Sequence, residues 1–206
     1  MFVIGITGVI GSGKSTVAAL CREAGLPVLD ADRVSHSVTL KGGSALPEII
    51  EYFGDDCLDA EGNLDRKHMA ELVFRDKKAL DQLSLIIHRH VLDTMGEQLK
   101  ELAKSGEKAA VMDVPIPVKH GFLDRCDQVW AVWADDEIRL DRLEHRGLER
   151  EEAERRMKIQ MTREQYAELA DIEIENNGDF EQIREQVDNL LQKELGSRGL
   201  PVRSLR

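Results

Sequence analysis

The sequence predicts an α/β fold of three layers, a parallel sheet with helices on both of its faces. Two observations lead there. Short apolar runs alternate with longer stretches of helical period along the 206 residues, the pattern of strands joined by crossover helices. The first run, "FVIGIT" (Phe2–Thr7), is apolar at both parities, as a strand covered on both faces must be. It leads directly into "GVIGSGKS" (Gly8–Ser15), and a helical pattern follows.

Taken in order, the elements are these. From Lys14 to about Ala24 the period is helical, with Val17, Leu20 and Cys21 on one face and Gly25 as the stop. "LPVLDAD" is a second strand ending in two acids, and "GGSALPEIIEYFG" is a loop, a helix and a stop. A turn region runs from Phe53-Gly54 to Gly62, and a helical period from Asp65 to Glu101 with a break near Asp76. "EKAAVMDVP" and Gln128–Ala134 are strands, the latter placing Trp130 and Trp133 in the core. Asp135 to about Leu169 is charged and helical, interrupted at Gly147; a last strand lies in "ADIEIENNG" and a last amphipathic helix spans Asp179–Leu195.

The expected organisation is one domain over 1–206. Its sheet core takes 1–39, 106–135 and 169–196, with helical insertions at about 40–105 and 136–168 and a basic, frayed tail at 197–206.

The totals narrow the function. The net charge of −11 argues against nucleic acid as the main partner, so an anionic ligand must meet a local basic pocket. Cys21, Cys57 and Cys126 lie far apart, with no paired spacing, and suggest reduced thiols in the cytoplasm rather than a disulfide or zinc framework. The N-terminal "MFVIGITG" has no basic segment before it and does not fit a secretory leader. No apolar run reaches the ~18 residues of a membrane span. Nothing in the sequence sets an oligomeric state.

"GVIGSGKS" sits where its chemistry requires it, between a buried strand and a helix, and so reads as a P-loop. Gly8, Gly11 and Gly13 let successive N–H groups turn inward, and with the helix N-terminus they form a phosphate site. Gly11, Ser12, Gly13, Lys14, Ser15 and Thr16 would hold a nucleoside triphosphate, with Lys14 on the β- and γ-phosphates and the Ser15 hydroxyl on Mg²⁺. The dinucleotide pattern fails, because no third glycine follows Gly11 and Gly13 on time.

A P-loop fixes the nucleotide, not the reaction. Asp30 and Asp32 stand at the C-terminal end of the second strand, the edge where ligands bind in open α/β sheets. Two apart in an extended strand, they would share a face. One of them would take a proton from an attacking hydroxyl or hold Mg²⁺ through water; alternatively, Asp32 caps the helix beginning near Arg33. Asp113, ending "AAVMD", is either an Mg²⁺ partner or an ordinary turn acid. Arg139, Arg142 and Arg146 share a helical face, either as charge-stabilising arginines on a lid or as members of a solvated ion-pair face. Arg66 and His88 are candidates for a substrate's anionic groups, with a structural role as the alternative for a lone helical histidine.

The ordered set "GITGVIGSGKSTVA", "LPVLDADRV", "EYFGDDCLDAEGNLDRKHM", "LSLIIH", "DRLEHR" and "IQMTREQYAELADIEIENNG" resembles the dephospho-CoA kinase family over about Val3 to Leu191. The resemblance implies ATP-dependent phosphorylation of the ribose 3′-hydroxyl of dephospho-CoA, with Mg²⁺. It implies Gly11 to Thr16 on ATP, Asp32 as the base near the hydroxyl, and Arg66 and His88 on the acceptor side. Arg142 and Arg146 become lid arginines, with Gln160 and Arg163 in the segment beyond. The stretch at about 40–105 becomes the acceptor-binding region, and 136–168 the lid. Two places depart from the family pattern: His88-Arg89 replaces a histidine-proline pair, and "PIPVKH" puts Lys119 in or beside a glutamate's place. A related kinase with another small-molecule or nucleotide acceptor is the alternative within enzymes. A nucleotide-hydrolysing regulatory module is the alternative outside transfer chemistry.

Overall fold

The computed structural model describes residues 1–205 and divides them into two compact units, one of 1–29 with 99–205 and one of 30–98.

The first unit is built on a five-stranded sheet. Strand β1 (Phe2–Gly8) enters the loop that precedes helix α1 (Lys14–Glu23), and β2 (Val28–Asp30) follows. After the second unit come β3 (Ala109–Asp113) and β4 (Gln128–Trp133). The chain then forms α6 (Asp136–His145), α7 (Arg150–Lys158) and α8 (Arg163–Ala167), and closes with β5 (Ile172–Glu175) and α9 (Phe180–Glu194). The strand order is β2-β3-β1-β4-β5. Every register the sheet shows is parallel: Ile6 faces Asp113 on one side and Trp130 on the other, and Val132 faces Ile174. Strand β1 is therefore central, and the loop leaving it opens at the carboxyl edge where such sheets bind ligands.

The predicted architecture holds because the apolar runs are buried as read. Ile4, Ile6, Val111, Trp130 and Val132 pack with Val17, Leu20 and Cys21 of α1 and with Ile183, Val187 and Leu191 of α9. Three expectations change. The stretch 197–205 is not frayed: Leu205 joins this core at 3% exposure, its N–H donates to Asp188 at 2.9 Å, and the Arg203 N–H donates to the Ala24 carbonyl. Apolar burial and main-chain bonding outweigh the basic composition there. Trp133 is only half-buried and lies under the Arg139 guanidinium, 5.0 Å from its ring centre, so it sits at the margin of a small cluster with Val9, Ala131 and Tyr166 rather than in the deep core. The charged helical stretch breaks twice, at Gly147 and again over 159–162, where Thr162 caps α8 in a capping box with Gln165.

The second unit holds α2 (Ala31–Val38), α3 (Leu46–Phe53), α4 (Arg66–Arg75) and most of α5 (Lys77–Lys104). Gly54 ends α3 at φ 81, and Asp76 breaks the helical stretch by accepting the N–H groups of Lys78 and Ala79 on its carboxylate. Ile49, Met69, Ile86 and Met95 are its most enclosed large side chains. No helix among the described residues is long and apolar enough to cross a membrane.

Candidate active site: a phosphate loop held from behind

The P-loop takes shape from two left-handed glycines, Gly11 at φ 79 and Gly13 at φ 91. A side chain is strained in that region whatever the space, and here there is no space. A Cβ on Gly11 would stand 2.9 Å from the Arg139 carbonyl, and one on Gly13 would strike the Asn176 amide. The turn is closed by the Ser12 N–H on Val9 O at 3.2 Å, and the Gly13 carbonyl starts α1 by accepting from Thr16 and Val17. The N–H groups of Gly11, Gly13, Lys14 and Ser15 have no protein acceptor among the described residues. Four unmet donors at the positive end of a ten-residue helix form an anion cradle.

The carbonyls of the same loop are all engaged. Arg139 Nε donates to Ile10 O at 3.0 Å, and Arg142 Nη1 to Gly11 O and Ser12 O at 3.3 Å each. Asn176 Nδ2 donates to Ser12 O at 2.8 Å, and its own carbonyl accepts from Arg142 Nη2 at 2.9 Å. Gln160 Oε1 takes the Ile10 N–H at 2.9 Å. Arg139 is buried at 3% exposure. Desolvation pulls both guanidinium pKa values down from their ordinary range, with Arg146 adding to the effect at Arg142. Both stay charged, since an arginine does not lose its proton in a protein. A chain of net charge −11 thus focuses positive charge behind its phosphate loop.

Lys14 Nζ pairs with the buried Asp113 carboxylate, and the Ser15 side chain is exposed at the start of α1. Beside the loop lies a cleft of about 480 Å³ walled by Gly13, Thr16, Arg142, Arg146, Asn176 and Phe180. That is the size of a nucleotide-type pocket. The six P-loop residues and Asp113, Arg142 and Arg146 expected from the sequence all lie in the first unit. Arg142 spends its donors on main-chain carbonyls, whereas Arg150, paired with Glu137 and Glu144, and Arg155 and Arg156, paired with Glu152, make solvated ion pairs.

Asp32, Arg66 and His88 lie in the second unit. The reading of Asp30 and Asp32 as neighbours on one strand face is corrected: β2 stops at Asp30, whose Oδ1 accepts from the N–H groups of Asp32 and Arg33 at 3.0 and 3.2 Å. Asp30, not Asp32, is the N-cap, because its extended backbone aims the carboxylate at the first turn. Asp32 is left exposed in that turn. Arg66 Nη2 donates to Thr39 Oγ1 at 2.9 Å and to Ser35 O at 3.3 Å, tying α4 to the end of α2. His88 is half-buried, its Nε2 finds no partner among the described residues, and burial holds its pKa below the ordinary imidazole value. Arg89 pairs with Glu48, which also meets His90 Nε2 at 3.1 Å. Lys119 is exposed in the loop after β3.

Sequence reasoning missed Asn176 and the support given by Gln160. The only local sign was the "NNG" turn after the last strand, a turn composition with no stated target.

With this geometry in hand, the family model for dephospho-CoA kinase (CoaE) matches residues 2–182. The chain belongs to the dephospho-CoA kinase family. A dephospho-CoA kinase of Carboxydothermus hydrogenoformans is 37% identical over 192 residues, covering 93% of each chain. The crystal structure of TT1252 from Thermus thermophilus superposes with a TM-score of 0.74 at 32% identity, over 94% of this chain and 97% of that one. The dephospho-CoA kinase from Campylobacter jejuni gives 0.71 at 26% identity, over 96% and 98%. The family assignment makes the protein a kinase, and the cradle and cleft give a dephospho-CoA kinase family member the means to hold a nucleotide.

Proposed function

We propose that the protein transfers the γ-phosphoryl group of ATP to the ribose 3′-hydroxyl of dephospho-CoA, yielding coenzyme A and ADP. The observation that carries this reading is the set of four unmet amides at the mouth of α1, beside a nucleotide-sized cleft, in a chain of this family.

The triphosphate lies on the unmet amides of Gly11, Gly13, Lys14 and Ser15, within the loop from Gly11 to Thr16, with the base in the cleft between Arg146 and Phe180. The Lys14 ammonium exchanges its Asp113 partner for the β- and γ-phosphate oxygens. Ser15 and Asp113 offer hard oxygen donors of the kind Mg²⁺ takes together with phosphate and water, so they fit the ion that the family implies. An Mg²⁺ ion held by these two residues would supply charge neutralisation on the phosphate oxygens. In the second unit Asp32, exposed and free of capping duty, accepts the proton of the attacking hydroxyl, and Arg66 and His88 line the acceptor. Arg142 and Arg146 offset the charge that develops on the transferring group, and closure of the 136–168 helices excludes water. The separate thiols accord with a reducing cytoplasm.

Titration of dephospho-CoA against ADP release, with mass spectrometry of the product, tests the activity. Saturation with the new phosphate on the ribose 3′-oxygen is expected, and ADP release indifferent to the acceptor overturns it. Asp32→Asn tests the base: turnover falls by about 10²–10⁴ while ATP still binds. Unchanged turnover takes Asp32 out of the mechanism. The exposed Lys119 favours a second reading, a kinase of the same fold with a different anionic acceptor. A panel of nucleotide and phosphate-ester acceptors decides between them.

A further inference from the structure

The cradle's donors are set by groups that never touch the nucleotide. A trans peptide is planar, so its C=O and the next N–H point in opposite directions. Whatever pins the Ile10 carbonyl outward turns the Gly11 N–H inward, and the Ser12 carbonyl governs the Gly13 N–H in the same way. Arg139 holds the first at 3.0 Å and Asn176 the second at 2.8 Å. Both governed N–H groups lack a protein acceptor among the described residues.

Arg139 is a poor choice for stability alone. Its side chain is 4% exposed, yet its carboxylate partner, Asp136, is 71% exposed and lies 2.8 Å from Nη1. Its Nη2 is buried with no acceptor among the described residues, and the guanidinium rests on the Trp133 ring. A buried charge with so little compensation is matched or bettered in stability by an apolar side chain of similar volume. What an apolar side chain cannot do is grip the Ile10 carbonyl.

We propose that Arg139 is a positioning residue for phosphate binding: by holding Ile10 O outward it keeps the Gly11 N–H aimed into the cradle, in parallel with Asn176 acting on Gly13 through Ser12 O. Gln160, on the Ile10 N–H, fixes the preceding peptide from the segment that follows α7. The helices around the loop therefore reach the phosphates through the orientation of main-chain dipoles. This inference rests on the nucleotide reading of the loop, and it is independent of the acceptor.

Arg139→Met in the full chain separates this role from a structural one. Binding of ATP and of adenosine is measured by calorimetry without acceptor, and KM for each substrate is measured in turnover. ATP binding is expected to weaken by about ten- to a hundredfold, the worth of one hydrogen bond to a charged group. Adenosine binding, the acceptor KM and the thermal midpoint are expected to hold. ATP affinity equal to the parent's, or ATP and adenosine weakened alike, overturns the proposal. If Arg139→Met does not fold, Arg139→Lys keeps the cation, loses the guanidinium's two-point hold, and carries the same outcomes. A parent that binds ATP but never phosphorylates dephospho-CoA removes the acceptor assignment and leaves this inference intact.

Discussion

At the scale of single residues, His88 links folding to pH. Burial depresses its pKa, and its Nε2 has no partner among the described residues to repay protonation. The unfolded chain therefore binds the proton more readily than the folded one. Stability from this group is complete above the ordinary imidazole pKa of about 6.5 and is lost as pH falls below it toward the lower folded value. Urea midpoints of the parent and His88→Gln, taken from pH 7.5 to 5, are expected to converge on the acid side, with the shallower slope in the variant. Parallel slopes would show that His88 does not titrate with folding. The residue's type and helical setting were readable in "LIIHRHV", but its burial was not. The same holds more sharply for the loop supports: Arg139 meets Ile10 across 129 positions and Asn176 meets Ser12 across 164. A local window sees three arginines on one helix face. Which is enclosed, which backs the loop and which pairs in solvent is decided by contacts that no local pattern contains.

At the scale of elements, the P-loop and its helix were legible because their chemistry is local: glycines at fixed offsets, then a lysine and a hydroxyl at a helix start. The "VLDAD" segment was legible only in part. Its apolar residues announce a strand, and nothing in their period says where it stops. The stop comes from a side-chain carboxylate competing for main-chain N–H groups, and Asp30 wins that competition two residues before the expected end. Helix α2 is only eight residues long, so its cap matters to whether the turn carrying Asp32 stays formed. Asp30→Ala is expected to cost about 1 kcal/mol, within the ~0.5–2 measured for such caps, and Asp30→Asn to restore most of it. Chemical denaturation of the two variants checks this. An alanine variant as stable as the parent would mean that Asp30 does not anchor the helix.

At the scale of the whole molecule, composition gave the class and misjudged the tail. Basic residues in "SRGLPVRSLR" suggested a solvated end, yet two features tie it to the first unit. Leu205 lies in the core that also holds Ile4, Trp130 and Val187, with Leu200 and Val202 packed at its margin. Polar bonds fix the same stretch: Asp188 accepts from the Leu205 N–H at 2.9 Å and the Ser204 hydroxyl at 3.2 Å, while Arg184 Nε donates to Leu205 O at 2.7 Å. Removing the chain after Gly199 therefore uncovers apolar core and strands the Asp188 carboxylate, which is 1% exposed, without those partners. Burial of a leucine side chain is worth about 1.5–3 kcal/mol, and a buried carboxylate that loses hydrogen bonds adds a further penalty. A total near 3–5 kcal/mol, at ~2–4 °C per kcal/mol for a chain of this size, lowers the thermal midpoint by roughly 6–20 °C. The cradle lies at the opposite, carboxyl edge of β1, so ATP affinity of the folded truncated protein at low temperature is expected to match the parent's. A midpoint within about 2 °C of the parent's would return the tail to the solvated role its composition suggested. Lost ATP binding in a folded truncation would instead tie this end of the chain to the site.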